Sequence, residues 1–258
     1  MCARANRTIQ VDPELGELTL DRLTRDVWLW QRKSGHRFSV DDVVTAFVAA
    51  RRRPDARRIC DLGCGLGSVL LHLAWSLPEA IAVGLEAQAV SHALALRNIA
   101  HNHLEARVSA HPGDLREPVQ LRALGARFDL VTGTPPYFPP SHALDAEDEQ
   151  RAYARIEYRG GVEAYIHAGA SLLGPGGELV LCGDARAEER VLGAAATTRL
   201  HLVHRTEVVA RAPAPPLFVV WVLAAAPAPP TSRTLVIRDA SGERTADAEE
   251  LRRFSGIP

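Results

Sequence analysis

Short apolar runs alternate with longer amphipathic segments through the middle of the chain. The runs end in glycine, proline or acidic residues, and they include RICDL, AIAVGLE, FDLVT and FVVWVL. The segments between them, such as VLLHLAWSL and AVSHALALRNIAHNHL, carry apolar residues at helical spacing. Nearly continuous apolar strands separated by helices are typical of a mostly parallel sheet covered on both faces. The pattern predicts a doubly wound α/β fold with a seven-stranded, Rossmann-like sheet whose last two strands form an antiparallel end.

Smaller elements flank this alternation on both sides. LTLDRLTRDVWLW (residues 18–30) predicts a hairpin, and a helix is expected over residues 41–51. After a stiff APAPP break, TLVIRDASGE predicts a C-terminal strand, with a helix behind it. We therefore expect a small N-terminal cap (1–53), a central α/β domain (54–230) and a C-terminal strand–helix extension (231–258).

Composition and charge set limits on partners and location. The 258-residue chain has a net charge of −1, so nothing draws it as a whole toward nucleic acid or anionic membranes. It shows no apolar leader segment and no 18-residue apolar span, and we expect a cytoplasmic protein without a membrane partner. Cys2, Cys60, Cys64 and Cys182 form no metal-ligand pattern, so no metal is expected. The oligomeric state stays open.

A glycine-rich turn follows the first central strand. ICDLGCGLGSVLLHLA reads as strand, D-x-G-x-G-x-G turn and helix, and Gly63, Gly65 and Gly67 allow a tight turn and close approach to a ligand. A P-loop is excluded because no G-K pair follows and the sole lysine is Lys33. A dinucleotide site would favour glycine or alanine where Ser68 stands, which disfavours NAD.

Carboxylates at the ends of the next two strands complete a nucleoside-binding pattern. Glu86 ends AIAVGLE, where its carboxylate can accept hydrogen bonds from both ribose hydroxyls. Asp114 in HPGDL can accept from an adenine amine, and Leu115 can pack against the ring. S-adenosylmethionine (SAM) has no pyrophosphate and matches this pattern best, with Asp61 near its amino group. The cofactor residues expected from these motifs are Asp61, Gly63, Cys64, Gly65, Gly67, Glu86, Ala87, Asp114, Leu115 and Thr132.

A proline-rich aromatic loop, GTPPYFPP, follows the fourth central strand. Proline fixes φ and lacks a backbone donor, so the loop neither continues the strand nor begins an ordinary helix. Over a sulfonium, such a loop can hold a planar amino group for in-line methyl transfer. The backbone carbonyl of Pro135 and the side chain of Thr134 would accept its two N–H groups, and Tyr137 would stack on it. Thr134, Pro135, Pro136 and Tyr137 are the expected catalytic residues.

These motifs resemble the class I SAM-dependent N-methyltransferases that carry [DNST]PPY. Within that group the chain is most similar to the bacterial enzymes that make N6-methyladenine beside the anticodon of valine tRNA. QRKSGHRFSVDDVVTAF resembles their N-terminal signature, and the resemblance implies that the segment around Ser39 and Asp41 lies against the cofactor. QRAYARIEYRGGVEAYIHAGASLL resembles the segment after their active loop, and TLVIRDASGE resembles their C-terminal strand.

One departure bears on the substrate. The family usually has asparagine where Thr134 stands, and threonine offers a shorter hydroxyl acceptor. Transfer to nitrogen is compatible with this change, whereas the change disfavours adenine as the acceptor. The leading hypothesis is methylation of adenine N6 in tRNA. The alternatives are a small metabolite or a protein amide as acceptor, and a catalytically idle SAM-binding module.

Local basic patches would have to hold a tRNA substrate. A cationic track with nearby aromatics is needed for phosphates and bases. Tyr137, Phe138, Arg151 and Arg155 are the expected substrate-binding residues, and Arg51, Arg52 and Arg53 could extend the track, with Tyr153 and Tyr158 beside it. The acidic run DAEDE (145–149) opposes phosphate binding, and no histidine is assigned to catalysis.

Overall fold

The computed structural model describes residues 8–125, 127–139 and 148–257. Cys2, Pro140 and residues 145–147 of the acidic run lie outside the described residues. The strands are β1 (Ile9–Asp12), β2 (Gly16–Arg22), β3 (Trp28–Arg32), β4 (Arg58–Leu62), β5 (Ile81–Glu86), β6 (Val108–Pro112), β7 (Phe128–Gly133), β8 (Leu173–Gly183), β9 (His201–Arg211), β10 (Phe218–Ala224) and β11 (Thr231–Arg238). The helices are α1 (Val40–Arg52), α2 (Ser68–Ser76), α3 (Ala89–His101), α4 (Pro118–Ala123), α5 (Glu149–Arg155), α6 (Val162–Leu172), α7 (Glu188–Thr198) and α8 (Ala246–Phe254).

The main sheet has the order β11-β9-β10-β8-β7-β4-β5-β6. β4, β5, β6, β7 and β8 pair in parallel, and β10 runs antiparallel to both β8 and β9. The doubly wound α/β fold with an antiparallel end is thus confirmed. The expected count of seven strands is wrong, because β11 of the C-terminal segment pairs with β9 and becomes an eighth strand.

Side chains alternate between two apolar layers on the faces of the sheet. Along β4, Ile59 joins the cluster formed with α1, α2 and α3, whereas Cys60 joins the cluster formed with α6 and α7. β7 repeats the alternation with Leu130 and Val131. Strands buried on both faces require the nearly continuous apolar runs seen in the sequence.

The order of the parallel strands defines where a ligand can bind. The chain adds β5 and β6 on one side of β4 and then returns to add β7 on the other side. The loops after β4 and β7 therefore leave the same edge side by side, and Leu62 lies opposite Gly133 in the register. In open α/β sheets, ligands bind at the carboxyl edge at this reversal of strand order. Both sequence motifs meet at this point.

A three-stranded antiparallel sheet, β1-β2-β3, forms the N-terminal cap. The expected hairpin corresponds to β2 and β3, and β1 adds a further strand. Buried Asn98 of α3 attaches this cap to the main domain: its carboxamide oxygen accepts from Trp30 N at 2.7 Å, and its amide nitrogen donates to Trp30 O and Leu66 O. Because Leu66 belongs to the glycine turn, one side chain connects cap, helix and ligand loop.

The C-terminal helix α8 packs on the face of the main sheet that α1 and α2 cover. Phe254 of α8 makes an edge-on contact with Phe47 of α1, with ring centroids 5.3 Å apart, and stacks on His72 of α2 at 4.8 Å. Burial lowers the pKa of His72 to about 3, so this imidazole is a neutral packing group. No helix within the described residues has the length and apolar character needed to cross a membrane.

Candidate active site

The glycine turn between β4 and α2 has a backbone conformation that residues with a side chain rarely adopt. Gly63, Gly65 and Gly67 have φ values of 60°, 56° and 92°. Such positive φ values favour glycine, which has no Cβ to clash. A Cβ added at Gly63 would also overlap the hydroxyl oxygen of Tyr165. The turn therefore passes close to Tyr165 of α6 and leaves the backbone of the loop open toward the carboxyl edge.

Glu86, the last residue of β5, faces this turn. Its carboxylate accepts hydrogen bonds from Gly65 N at 2.8 Å and from Gln88 N at 2.7 Å. Burial raises the pKa of Glu86, while these backbone donors act in the opposite direction. The two bonds fix the carboxylate at the base of the cleft, where it can accept from vicinal hydroxyl groups.

A cavity with about 840 Å³ of open space lies over the turn and the ends of β4, β5 and β6. We name it the cofactor cavity. Of the expected cofactor residues, its walls include Gly63, Cys64, Gly65, Glu86, Ala87, Asp114 and Leu115.

Asp61 and Thr132 lie beneath the turn and are not among the residues that line the cofactor cavity. They are partners across β4 and β7, and the Thr132 hydroxyl donates to the Asp61 carboxylate at 2.7 Å. Burial raises the pKa of Asp61 to about 7, against the effect of this bond. Gly67 likewise lies behind the lining residues as the N-cap of α2. These three residues lie behind the wall of the cofactor cavity, and Asp61 is the ionisable one among them.

Asp114 follows β6 on the far wall of the cofactor cavity. The Arg116 guanidinium donates to its carboxylate through two nitrogens, with Nη2 at 2.7 Å from Oδ2 and Nε at 3.0 Å from Oδ1. These bonds lower the pKa of Asp114, so it stays ionised. An exocyclic amine that binds here shares this carboxylate with Arg116.

A second cavity, with about 1520 Å³ of open space, adjoins the first. We name it the acceptor cavity. Its walls combine the cap, the loop after β7, α5 and the start of β10, and they include Pro135, Tyr137, Phe138, Arg151 and Arg155. Thr134 lines both cavities, and Pro136 lines the cofactor cavity. The proline loop thus stands between the two spaces.

Tyr137 is held through its hydroxyl group. That hydroxyl donates to Asp41 Oδ2 at 3.0 Å and lies 3.2 Å from Cys182 Sγ. Burial raises the pKa of Tyr137 well above its usual range, so the phenol stays protonated. A ring anchored at its outer end forms a rigid wall of the acceptor cavity.

The N-terminal end of α1 places its acidic residues differently from the expectation. Ser39 and Asp41, expected against the cofactor, line the acceptor cavity, whereas Asp42 lines both cavities. The reason is the helical turn of about 100° per residue between Asp41 and Asp42. Burial and neighbouring Asp41 raise the pKa of Asp42 to about 8.

Several lining residues have no counterpart in the sequence-based set. His36 and Phe38 of the cap, together with Tyr153 and Arg159 near α5, line the cofactor cavity. Tyr153, expected beside a nucleic-acid track, has the Arg159 guanidinium over its ring at 4.5 Å and contacts Tyr158 edge-on. The N-terminal signature was the local sequence feature that could have indicated a site near His36. The position of the His36 side chain depends on how the cap folds over α3.

The arginines divide into two groups. Arg51, Arg52 and Arg53 lie at the far end of α1 and pair with Glu250, Glu178 and Asp55. Arg151 and Arg155, in contrast, have no carboxylate partner within residues 8–125, 127–139 and 148–257. The predicted extension of the track to residues 51–53 is therefore not supported, because these guanidinium groups pair with carboxylates and lie at the end of α1 that lines neither cavity.

Asp148, part of the acidic run, has a structural role. It caps α5 by accepting from Arg151 N at 3.0 Å, and it pairs with Arg32 of β3 at 2.8 Å. This ion pair joins the cap to α5, and it offsets one negative charge of the run. The cap and α5 are therefore fixed to each other over the two cavities.

The fold and the glycine turn, with a carboxylate at the end of the neighbouring strand, define a class I SAM-dependent methyltransferase. The residues at the cofactor cavity are compatible with S-adenosylmethionine. Glu86 can accept from ribose hydroxyls, and Leu85 and Leu115 can contact an adenine. The carboxyl groups of Asp42 in the wall and of Asp61 behind it can interact with a positive charge.

The chain belongs to the methyltransferase small domain family, whose model matches residues 37–207. A release factor glutamine methyltransferase of Geobacter sulfurreducens is 36% identical over 160 residues, which cover 59% of this chain and 54% of that protein. A tRNA1(Val) (adenine(37)-N6)-methyltransferase of Edwardsiella ictaluri is 31% identical over 191 residues, covering 74% of this chain and 75% of that protein. The chain spans little more than half the length of several relatives that it matches.

Solved structures share the same architecture. A predicted O-methyltransferase, Atu636 from Agrobacterium tumefaciens, superposes with a TM-score of 0.66 at 19% identity. The match covers 85% of this chain and 98% of that chain. At this identity the likeness shows the fold alone. The family is therefore shown by the sequence model, and the fold by the solved structures.

Proposed function

We propose that the protein transfers a methyl group from SAM to the N6 amino group of an adenine in tRNA. The observation that carries the proposal is the position of the Thr134–Tyr137 loop, which separates the cofactor cavity from the acceptor cavity. A loop at this boundary can hold an amino group against the methyl donor.

The loop offers the contacts that a planar amino group needs. S-adenosylmethionine, when bound, supplies an electrophilic methyl group on a sulfonium. The Thr134 hydroxyl and the Pro135 carbonyl would accept the two N–H groups and so direct the nitrogen lone pair away from the ring. Tyr137, anchored through Asp41, would stack on the base.

Macromolecular binding is supported by the rim of the acceptor cavity. Arg151 and Arg155 offer guanidinium groups for phosphate oxygens, and exposed Phe138 and Leu217 offer apolar contacts beside them. The relative with tRNA in its name aligns over three quarters of each chain. A tRNA substrate would place the enzyme in the cytoplasm.

A second candidate is a glutamine amide in a protein. The relative from Geobacter sulfurreducens is named for a release factor glutamine, and its higher identity, 36%, favours this candidate over a small metabolite. An amide –NH2 has the same planar geometry and the same two N–H donors as adenine N6. Both candidate acceptors would therefore make the same contacts with the Thr134–Tyr137 loop. They would differ in their contacts with the rim of the acceptor cavity.

The test is transfer of labelled methyl from SAM to bulk tRNA, followed by nucleoside digestion. Wild type and Tyr137→Ala are run side by side, with SAM binding measured by calorimetry. A labelled N6-methyladenosine that depends on Tyr137 would support the proposal. Intact SAM binding without tRNA label would contradict it and would direct the search to protein amides.

A further inference from the structure

We propose that His36 is a further residue of the transfer site, where its imidazole accepts a hydrogen bond from the acceptor amino group and then takes the proton that this nitrogen loses. The proposal rests on N-methyl transfer as the proposed function. It applies to an adenine or to an amide acceptor.

His36 lies where the two reacting groups must meet. Among the described residues, four line both cavities: His36, Asp42, Thr134 and Ala154. A nitrogen that receives a methyl group has to occupy the junction of the cofactor and acceptor cavities. Ala154 has no polar side-chain atom, so three side chains can contact the amino group there.

The segment that follows His36 is anchored to the cap. The Arg37 guanidinium donates to Thr19 Oγ1 at 2.8 Å and to Asp21 Oδ2 at 2.6 Å. Phe38 N donates to the side chain of buried Gln31 at 2.9 Å. These bonds tie the loop that carries the imidazole to strands β2 and β3 of the cap, and such support holds a side chain in place over the junction.

The imidazole has an unused acceptor. Within residues 8–125, 127–139 and 148–257, the His36 ring makes no hydrogen bond. Asp42, in contrast, accepts from Ser39 N at 2.9 Å as part of the α1 capping box. A neutral histidine carries one ring nitrogen with a free lone pair, which is suited to an incoming N–H.

The groups around His36 favour a neutral imidazole before methyl transfer and can stabilise a protonated imidazole after it. Burial, Arg155 and Arg151 lower the pKa of His36, while Asp41 raises it. The charged groups that share the acceptor cavity with His36 are Arg37, Asp41, Asp42, Arg151, Arg155 and Asp184. At neutral pH the ring can thus accept a proton, and Asp41 stabilises the imidazolium that forms.

His36 also accounts for the substitution in the loop. Thr134 provides a short hydroxyl in place of a carboxamide, so the N–H group on that side can be accepted by His36 as well, while the Pro135 carbonyl accepts the other N–H group. As the nitrogen–carbon bond forms, the carbon–sulfur bond breaks and S-adenosylhomocysteine leaves. The methylated nitrogen carries an additional proton and a positive charge. It gives the proton to His36, which returns it to water.

The test compares wild type with His36→Ala, His36→Gln and the control His204→Ala. His204 is a partly buried histidine on β9 whose pKa burial also lowers, and it lines neither cavity. Labelled methyl transfer is measured at saturating SAM, from pH 5.5 to 9, into bulk tRNA and into a nuclease-treated soluble protein extract. SAM binding is measured separately by calorimetry, and folding by thermal melting.

We expect His36→Ala to lower kcat about 100-fold, in the range of positioned proton acceptors, while the SAM dissociation constant stays within about twofold. His36→Gln should recover part of the rate, because its amide oxygen accepts a hydrogen bond. It should also lose the fall in kcat at acid pH that wild type shows when His36 is protonated. His204→Ala should behave as wild type.

Three results would overturn the proposal: unchanged kcat in His36→Ala, equal losses of SAM affinity and kcat, or an acid fall that persists in His36→Gln. The fraction that takes up label tests the substrate separately. If only the protein extract takes up labelled methyl, tRNA is rejected as the substrate. His36 is then tested by the ratio of the variant and wild-type rates of protein methylation. Label in neither pool, with SAM bound, would overturn both proposals.

Discussion

The cofactor and acceptor cavities share a wall but differ in construction and charge. The cofactor cavity is built mainly from the ends of β4, β5 and β6, and the carboxyl groups of Asp42, Glu86 and Asp114 lie in its walls. The acceptor cavity joins five separate parts of the chain, and its walls carry three arginines, Arg37, Arg151 and Arg155, together with Asp41, Asp42 and Asp184.

The difference follows from what each cavity is expected to bind. A sulfonium and an ammonium group favour surrounding carboxyl groups, whereas a phosphate backbone favours guanidinium groups. The walls of the cofactor cavity come from consecutive βα units. The walls of the acceptor cavity meet only after the cap and α5 have folded over the sheet. Four changes test this contrast.

Replacement of Glu86 should affect only the cofactor cavity. Glu86→Ala removes a buried acceptor, and we expect SAM binding to weaken by about 1–3 kcal/mol, or up to about 100-fold. Calorimetry measures the change, with Glu86→Gln as a variant of the same shape and Glu207→Ala as a distant control. Unchanged affinity in Glu86→Ala would remove this residue from the site.

Replacement of Tyr137 should affect mainly the acceptor cavity. Base stacking on an aromatic ring contributes about 1–3 kcal/mol, so kcat/KM for the acceptor should fall about 5- to 160-fold in Tyr137→Ala. SAM affinity should stay within about twofold. Tyr137→Phe keeps the ring and loses the bond to Asp41, and it should retain most of the activity. Equal losses of SAM affinity and turnover would show that the loop is a structural element.

The pH dependence of SAM binding should report the buried carboxyl groups. Burial raises the pKa of Asp42 to about 8 and that of Asp61 to about 7, so both hold protons in much of the protein at neutral pH. A bound cation lowers both pKa values, and binding then releases protons. Affinity should therefore rise with pH, by about tenfold between pH 6 and pH 8.5.

Calorimetry in buffers of different ionisation enthalpy measures this proton release. Asp42→Asn should flatten the rise, and S-adenosylhomocysteine, which lacks the sulfonium charge, should show a weaker one. An affinity that is flat across this range would show that the carboxyl groups do not respond to the bound cation.

The two arginine groups should differ in their effect on RNA binding. Arg151→Ala and Arg155→Ala should each weaken tRNA binding a few-fold and reduce the slope of log K against log salt by about 0.7–0.9. Arg51→Ala, at the far end of α1 and paired with Glu250, should leave both quantities unchanged. The measurement is filter binding across a salt series. Equal effects at both ends would reject the acceptor cavity as the RNA-binding side.

Part of the active site could be predicted because its residues follow the strands directly. Glu86 and the glycines stand where β5 and β4 end, and parallel strands present their carboxyl ends at one edge. The same logic placed the loop at Thr134 beside the glycine turn. No knowledge of distant contacts was needed for these residues, since the βα unit itself sets their position.

The acceptor cavity required contacts between distant parts of the chain. His36 reaches the junction because Asn98 and Asp148 hold the cap against α3 and α5. The ion pair between Arg52 and Glu178, which are far apart in the sequence, likewise cannot be predicted from the local sequence pattern. Side-chain periodicity reports burial, but it does not report which distant carboxylate neutralises a charge.

The sequence alone determined the α/β fold, the cofactor site at the strand ends and the proline loop beside it. Apolar periodicity and glycine positions are local properties, and they specify local structure. The eighth strand, the division of Asp41 and Asp42 between two cavities, and the place of His36 were decided by the tertiary structure. Each of these depends on the order of strands and the packing of the cap, which arise only when segments far apart in the chain bury their apolar faces together.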